Sequence, residues 1–291
     1  MAEAAAKIAE EVLFPAAAAV DRSDRVPAGH LDLLADAGFY DRAGDDLPEV
    51  VEILASGCLA TTFVWIQHLS PLFTAGAALR GRRAGIAYAG LAPGSDLHVQ
   101  GGRLSGHVPW VTGWDLIDVV QVAVREGDQI RYYLLDAVAG PTLEAELQEL
   151  VAVQASRTVS LTFDGHPVPE ELLVHTEDYE PWSQKNASGS SLNGFLSLGL
   201  VRRVSRLLDG AFDDELTACR ALLADQERTP QARAAASALA WKAAGALVTR
   251  TGSGGIRAGE TAQRLAREAA FLLVFASRPS IRTELYRRMT S

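Results

Sequence analysis

The sequence predicts a mainly helical α+β chain in three parts: an N-terminal helical domain, a small central antiparallel β-barrel or sheet domain, and a C-terminal helical bundle. Three observations carry this prediction. Apolar residues recur at helical spacing through the first 90 residues. The period then changes to β-branched and aromatic runs parted by turn signals. Helical spacing returns near Trp182 and holds to the end. The domains are therefore expected at 1–90, 91–176 and 177–291.

In the first part, Ala4–Leu13 is apolar at helical spacing and Val20–Asp24 interrupts it. His30–Ala37 predicts a short helix closed by Gly38, a residue suited to a helix C-terminus. Leu47–Leu69 predicts one buried central helix with Pro48 in its first turn, where the missing N–H costs nothing. A further helix is expected over Pro71–Leu79. In the second part, Arg103–Val108, Ile117–Val124, Gln129–Leu135 and Thr158–Val168 read as strands. The turns between them contain Gly101-Gly102, Glu126-Gly127-Asp128 and Asp164-Gly165. In the third, helices are expected over Leu192–Leu208, Asp214–Gln226, Gln231–Arg250, Glu260–Phe275 and Ile281–Met289. Gly252–Gly255 separates two of them.

The 291 residues suffice for a well-buried core, with 48% apolar and 22% charged residues. A net charge of −9 argues against nucleic acid as a partner, since phosphates need a basic stripe. The clusters Arg80–Arg83 and Arg202–Arg206 are expected at solvated helix ends. Cys58 and Cys219 are too few and too far apart for a disulfide framework. No apolar run reaches membrane-span length and no signal-peptide pattern is read, so no membrane partner and a cytoplasmic location are expected. The histidines show no metal-ligand spacing, and no metal site is predicted.

Pro109-Trp110-Val111-Thr112-Gly113 is the stretch richest in chemistry. An indole beside a hydroxyl at a strand end can stack on a flavin ring and bond its polar edge, although a core tryptophan has the same sequence pattern. Ile53–Val64 with His68, Trp110-Val111-Thr112 with Asp118, Ser156–Phe163 with Val168-Pro169, and Gly254-Gly255 followed by Gln263–Ala269 occur in that order. Together these motifs resemble the acyl-CoA dehydrogenase superfamily, of which the chain looks like a shortened, divergent member.

The resemblance implies that Trp110 packs on the flavin ring, with Val111 beside it, and that Thr112 bonds near the ring's reactive nitrogen. Ser95 belongs to a Gly-Ser-Asp remnant of the family's longer pattern before the first β hairpin. Gly254 and Gly255 would let backbone approach the cofactor's phosphates, from a neighbouring subunit. FAD is the implied cofactor, with FMN or no flavin as alternatives.

The departures are equally specific. The commonest branch carries a glutamate base near the C-terminus, and Ala276 stands at that position. A second branch places its glutamate at the start of the first C-terminal helix, where this chain has Gly189-Ser190-Ser191-Leu192-Asn193. The segment holding the family's Arg-x-x-Phe-Gly motif is missing; Asp209–Asp214 occupies its place and is acidic. Related two-component flavin hydroxylases need no α-proton base and resemble the chain over Arg103–Trp110, but they carry a late histidine that is absent here. His68, at the end of the central helix, is the remaining acid/base candidate, with a satisfied core histidine as the other reading. Glu260, Glu268 and Glu284 are expected on the surface or paired with arginines.

The sequence thus predicts a flavin-dependent oxidoreductase of acyl-CoA dehydrogenase type, lacking the usual glutamate, acting on an acyl thioester or a specialised small molecule. The alternatives are an oxygenating or non-redox enzyme on the same scaffold, or a non-catalytic subunit. A homodimer or higher oligomer is expected, or a heteromer with a longer homologue.

Overall fold

Amphipathic helices at both ends of the chain bury their apolar faces in one shared core, and the strands form a separate layer between them in sequence. The structure is a computed structural model that describes residues 1–41, 44–225 and 229–290. Helix α1 (Ala2–Ile8) continues through a π turn (Ala9–Leu13) into α2 (Phe14–Asp21). Then come α3 (Ala28–Asp36), α4 (Leu47–Gly57), α5 (Leu59–Ile66) and α6 (Leu69–Thr74).

The single central helix expected over Leu47–Leu69 is two helices. Cys58 takes an extended conformation (φ −149°, ψ 111°) and separates α4 from α5. The cause is packing. A Cβ at Gly57 would lie 2.8 Å from Leu13 Cβ and 2.9 Å from the Ala9 carbonyl oxygen, so the N-terminal helix crosses where the side chain is missing. The break frees the Ser56 carbonyl, which accepts a 2.7 Å bond from Arg203 Nε.

Eight strands follow: β1 (Ala84–Ala87), β2 (His98–Gln100), β3 (Arg103–Val111), β4 (Val119–Glu126), β5 (Gln129–Asp136), β6 (Leu143–Leu147), β7 (Val159–Pro167) and β8 (Leu173–Asp178). They form two four-stranded sheets, ordered β1-β4-β5-β8 and β2-β3-β7-β6, in place of one antiparallel sheet or a closed barrel. β1 pairs with β4 in parallel, Ala84 opposite Val119; the other pairings are antiparallel. Because β1 has only four residues, the first strand begins before the change of period is readable in the sequence. Val120, Val122 and Val124 of β4 pack with Leu104 and Val108 of β3 and with Leu161 and Phe163 of β7 in one apolar layer. The opposite face of β4 is buried too, which explains its unbroken apolar run.

The chain returns to helix at α7 (Tyr179–Ser188), then α8 (Leu192–Leu207), α9 (Asp213–Ala224), α10 (Thr229–Thr251), α11 (Thr261–Val274) and α12 (Pro279–Thr290). Helix α8 lies against α4, and the contact is close at Gly199, where a Cβ would be 2.5 Å from the Glu52 carbonyl oxygen. One apolar core joins α1, α2, α4, α5 and α8 to α11.

Arg202 and Arg203 are not the solvated helix-end charges expected. Arg202 bonds Glu52 at 3.1 Å, and the buried Arg203 grips both Glu10 carboxylate oxygens at 2.7 and 3.1 Å. Arg82 and Arg83 are also paired, with Asp136 and Asp32. Among the described residues no helix is long and apolar enough to cross a membrane.

Candidate functional site

Strand β3 ends in a run whose side chains part company. Trp110 is 37% exposed, while Val111 and Thr112 are buried at 0% and 1%. Alternation along a strand explains Val111, which joins the inter-sheet core; Trp110 faces outward with just over a third of its surface exposed. The tryptophan is therefore not a core residue.

Thr112 belongs to a buried line of hydroxyls. Its Oγ1 lies 3.0 Å from Thr158 Oγ1, which lies 2.9 Å from Ser156 Oγ. The backbone beyond it is fixed as well: Gly113 N–H donates to the Ser156 carbonyl and Trp114 N–H to that of Arg157. In this conformation the Thr112 hydroxyl serves the strand junction, and a ring nitrogen outside would reach it only after rearrangement.

Ser95 lies on the loop that crosses β3. Its hydroxyl accepts the Leu97 N–H at 3.2 Å, and the adjoining Asp96 accepts the His107 N–H at 3.0 Å. Helix α5 reaches the end of β3. Val64 of α5 sits beside Gly113, and its neighbour Phe63 packs edge-on against Phe271 and Phe275, with ring centroids 5.1 and 5.0 Å away. Phe275 leads directly to Ala276, whose φ of +46° turns the chain between α11 and α12. Helix α5 thus touches both the Gly113 turn after β3 and the Phe271–Phe275 end of α11.

His68 is buried, and both ring nitrogens are committed. Nδ1 accepts the Ala84 N–H at 2.9 Å, so the proton sits on Nε2, which donates to the Tyr40 carbonyl at 3.0 Å. Burial lowers its pKa, and the Tyr40 carbonyl bond opposes that shift. A neutral imidazole with no vacant lone pair cannot take a substrate proton here. The acid/base role expected for His68 is replaced by a structural one, a joint between α6 and β1.

Gly254 and Gly255 lie in a 3₁₀ turn (Gly252–Ile256) that closes α10. A Cβ at Gly255 would meet the Val248 carbonyl oxygen at 3.0 Å, so this glycine permits the turn to fold back on its own helix. At Gly254 the nearest atom to such a Cβ is Thr251 Cγ2 at 3.7 Å. The atoms nearest a Cβ at either glycine belong to α10 itself. The two glycines lie about 30 Å along α10 from its first turn, at 1.5 Å per residue. The acidic stretch Asp209–Asp214 is a tight turn, with Ser205 Oγ donating to Asp213 Oδ1 at 2.7 Å and accepting the Phe212 N–H at 3.0 Å.

The stretches around Ser190 and Ala276 meet at one residue that the sequence did not single out. Arg233, in the first turns of α10, is 2% exposed. Its Nη1 donates to the Ser190 carbonyl at 2.9 Å and its Nη2 to the Phe275 carbonyl at 3.1 Å. No pattern within α10 announces this, because the partners lie more than forty residues away on either side. Elsewhere, Glu268 is buried and paired with Arg264 at 2.8 Å, and Glu284 is paired with Arg287 and Arg288. Burial raises the Glu268 pKa against the pull of Arg264.

A cavity of about 460 Å³ lies apart from this region, between the start of α4, α8 and α9. At its floor Glu52 is fully buried, held by Arg220 through two 2.7 Å bonds and by Arg202. Both carboxylate oxygens are occupied by guanidinium donors.

The arrangement of helices, two small sheets and helices decides the fold when compared with solved structures. The chain has an acyl-CoA dehydrogenase-like fold. Butyryl-CoA dehydrogenase from Megasphaera elsdenii superimposes with a TM-score of 0.79 at 14% identity, over 100% of this chain and 97% of that one. Nitrososynthase from Micromonospora carbonacea var. africana gives a TM-score of 0.77 at 18% identity, over 99% and 94%. Glutaryl-CoA dehydrogenase from Mycobacterium smegmatis gives 0.76 at 16%, over 99% and 93%. No family model matches the sequence, and neither does any curated protein. Within this acyl-CoA dehydrogenase-like fold, the chain presents a partly exposed indole at the end of β3 and a buried arginine between the Ser190 and Phe275 carbonyls.

Proposed function

We propose that the chain is a flavin-dependent oxidoreductase of acyl-CoA dehydrogenase type that works without a side-chain α-proton base. The outward indole of Trp110, set on a strand end whose next two residues are buried, is the observation that carries this reading. A flat apolar face fixed on a rigid strand suits an aromatic ring. Flavin, when bound, supplies a two-electron acceptor.

The residues fit the two ends of FAD unequally. Trp110 suits the ring. Within a single chain, Gly254-Gly255 closes α10 and folds back on that helix, and Asp209–Asp214 is unsuited to a diphosphate. The reading therefore includes assembly of two or more copies, or pairing with a longer homologue. Exposed Trp241, Val274, Tyr286 and Met289 on the C-terminal helices supply apolar surface for it.

The absence of a carboxylate at Ala276 and around Ser190 favours chemistry that abstracts no α-proton. An acyl thioester or a specialised small molecule remains the substrate class. A second reading, a flavin-free or non-catalytic subunit, is favoured by the committed hydroxyl of Thr112. Titration of the purified protein with FAD and with FMN, followed by tryptophan fluorescence and visible absorbance, separates the two. Saturable quenching that is lost in Trp110→Ala supports the flavin reading. A colourless protein indifferent to both flavins ends it.

A further inference from the structure

Arg233 is a buried cation without a counter-charge. Among the described residues no carboxylate pairs with it, and its two hydrogen bonds go to neutral carbonyls. Its Nε has no partner, nor does the buried hydroxyl of Ser277, two residues beyond the Phe275 carbonyl that Arg233 holds. Arg278 adds a second positive charge close by. It bonds neutral Asn186, and its stem lies against the Gly189 backbone. Burial and the proximity of Arg278 pull the Arg233 pKa down to about 10.

Leaving a buried guanidinium uncompensated is costly, and protein interiors normally pair such a charge. Gly194 leaves room for Leu223 and for Arg233, since a Cβ there would sit 2.5 Å from Leu223 Cδ2 and 3.1 Å from Arg233 Cδ. The side chains next to the carbonyls that Arg233 holds are short: Gly189, Ser190, Ala276 and Ser277. In this chain only the cations are present.

We propose that Arg233, Ser277 and Arg278 form a seat for a carboxylate carried by the substrate. The inference rests on the proposed function only in assigning that carboxylate to the substrate. Arg233 fixes the anion by a charge-assisted bond from Nε, Ser277 donates its hydroxyl, and Arg278 guards the exposed side. The substrate class becomes an acid with a free carboxylate, distinct from an uncharged acyl chain.

The test uses flavin-free protein, so its outcome is separate from flavin binding. Thermal melting is compared in sodium acetate and in sodium chloride at equal ionic strength. Wild type should show a saturable rise of about 2–4 °C in acetate over chloride. Ala276→Asp supplies a carboxylate at a left-handed position that aspartate tolerates. It should melt higher without acetate and lose the acetate increment. Arg278→Gln and Ser277→Ala, which keep Arg233 in place, should each reduce the increment. Equal melting of wild type in the two salts overturns the proposal. So does an acetate increment in Ala276→Asp as large as in wild type.

Discussion

The backbone N–H of Ala84 donates to Nδ1 of His68 at 2.9 Å, which ties the first residue of β1 to the start of α6 through one imidazole. The same ring donates to Tyr40 from its other nitrogen, so three segments depend on its neutral form.

This fixes a pH dependence. Burial holds the His68 pKa below its ordinary 6.5, so near and below that pH the unfolded chain binds more protons than the native one. Stability is full above about 6.5 and falls as the pH drops toward the folded value; His30 and His166, lowered by burial, act in the same direction. His68→Gln should narrow the difference in melting temperature between pH 7.5 and 5.5. An unchanged difference would show that the imidazole does not stay neutral on folding.

Trp110 and Thr112 should respond differently to truncation. Trp110→Ala removes a side chain that is only 37% exposed, so losing its covered part should cost about 1–2 kcal/mol while flavin affinity falls. Thr112→Val leaves the buried Thr158 hydroxyl short of a partner and should cost about 1–3 kcal/mol. Denaturant titration beside flavin titration reads both effects. Loss of flavin affinity in Thr112→Val at unchanged stability would contradict the committed hydroxyl.

Glu52 is buried with two arginines on its carboxylate. Removing both, in Arg202→Ala with Arg220→Ala, leaves the carboxylate without a counter-charge and should cost about 3–5 kcal/mol. Arg220→Ala alone should cost less, because Arg202 still bonds Oε1. Urea midpoints of the single and double variants measure the difference.

Gly199→Ala forces a methyl to within 2.5 Å of the Glu52 carbonyl oxygen and 2.6 Å of Ala55 Cβ. Helices α4 and α8 must separate, with an expected cost of about 1–3 kcal/mol. Gly254→Ala meets only Thr251 Cγ2 at 3.7 Å and should leave the monomer's stability unchanged. If it also leaves flavin binding unchanged, the glycine pair has no part in holding the cofactor.

Most helices were readable from spacing alone, because each buries one face. The break at Cys58 was not, since an apolar run on both sides hides the step, and its cause is Leu13, far away in sequence. Strand β1 was missed because four residues show no period. At the site, Trp110-Val111-Thr112 was legible as a motif, but only the fold reveals that Trp110 faces out and Thr112 faces in. The role of His68 depends on Ala84 and Tyr40, and that of Arg233 on Ser190 and Phe275. Such pairings leave no local pattern.

Arg203 joins the Ser56 carbonyl, 147 positions earlier, to Glu10, 193 positions earlier. During synthesis, the N-terminal helices therefore emerge with the α4 end uncapped and their apolar faces uncovered. They must wait for α8 before either need is met. Loop-closure entropy makes such distant contacts slow to form. An unfinished chain ending before α8 is thus a client for holdase chaperones, and a truncation at that point should be found in the insoluble fraction.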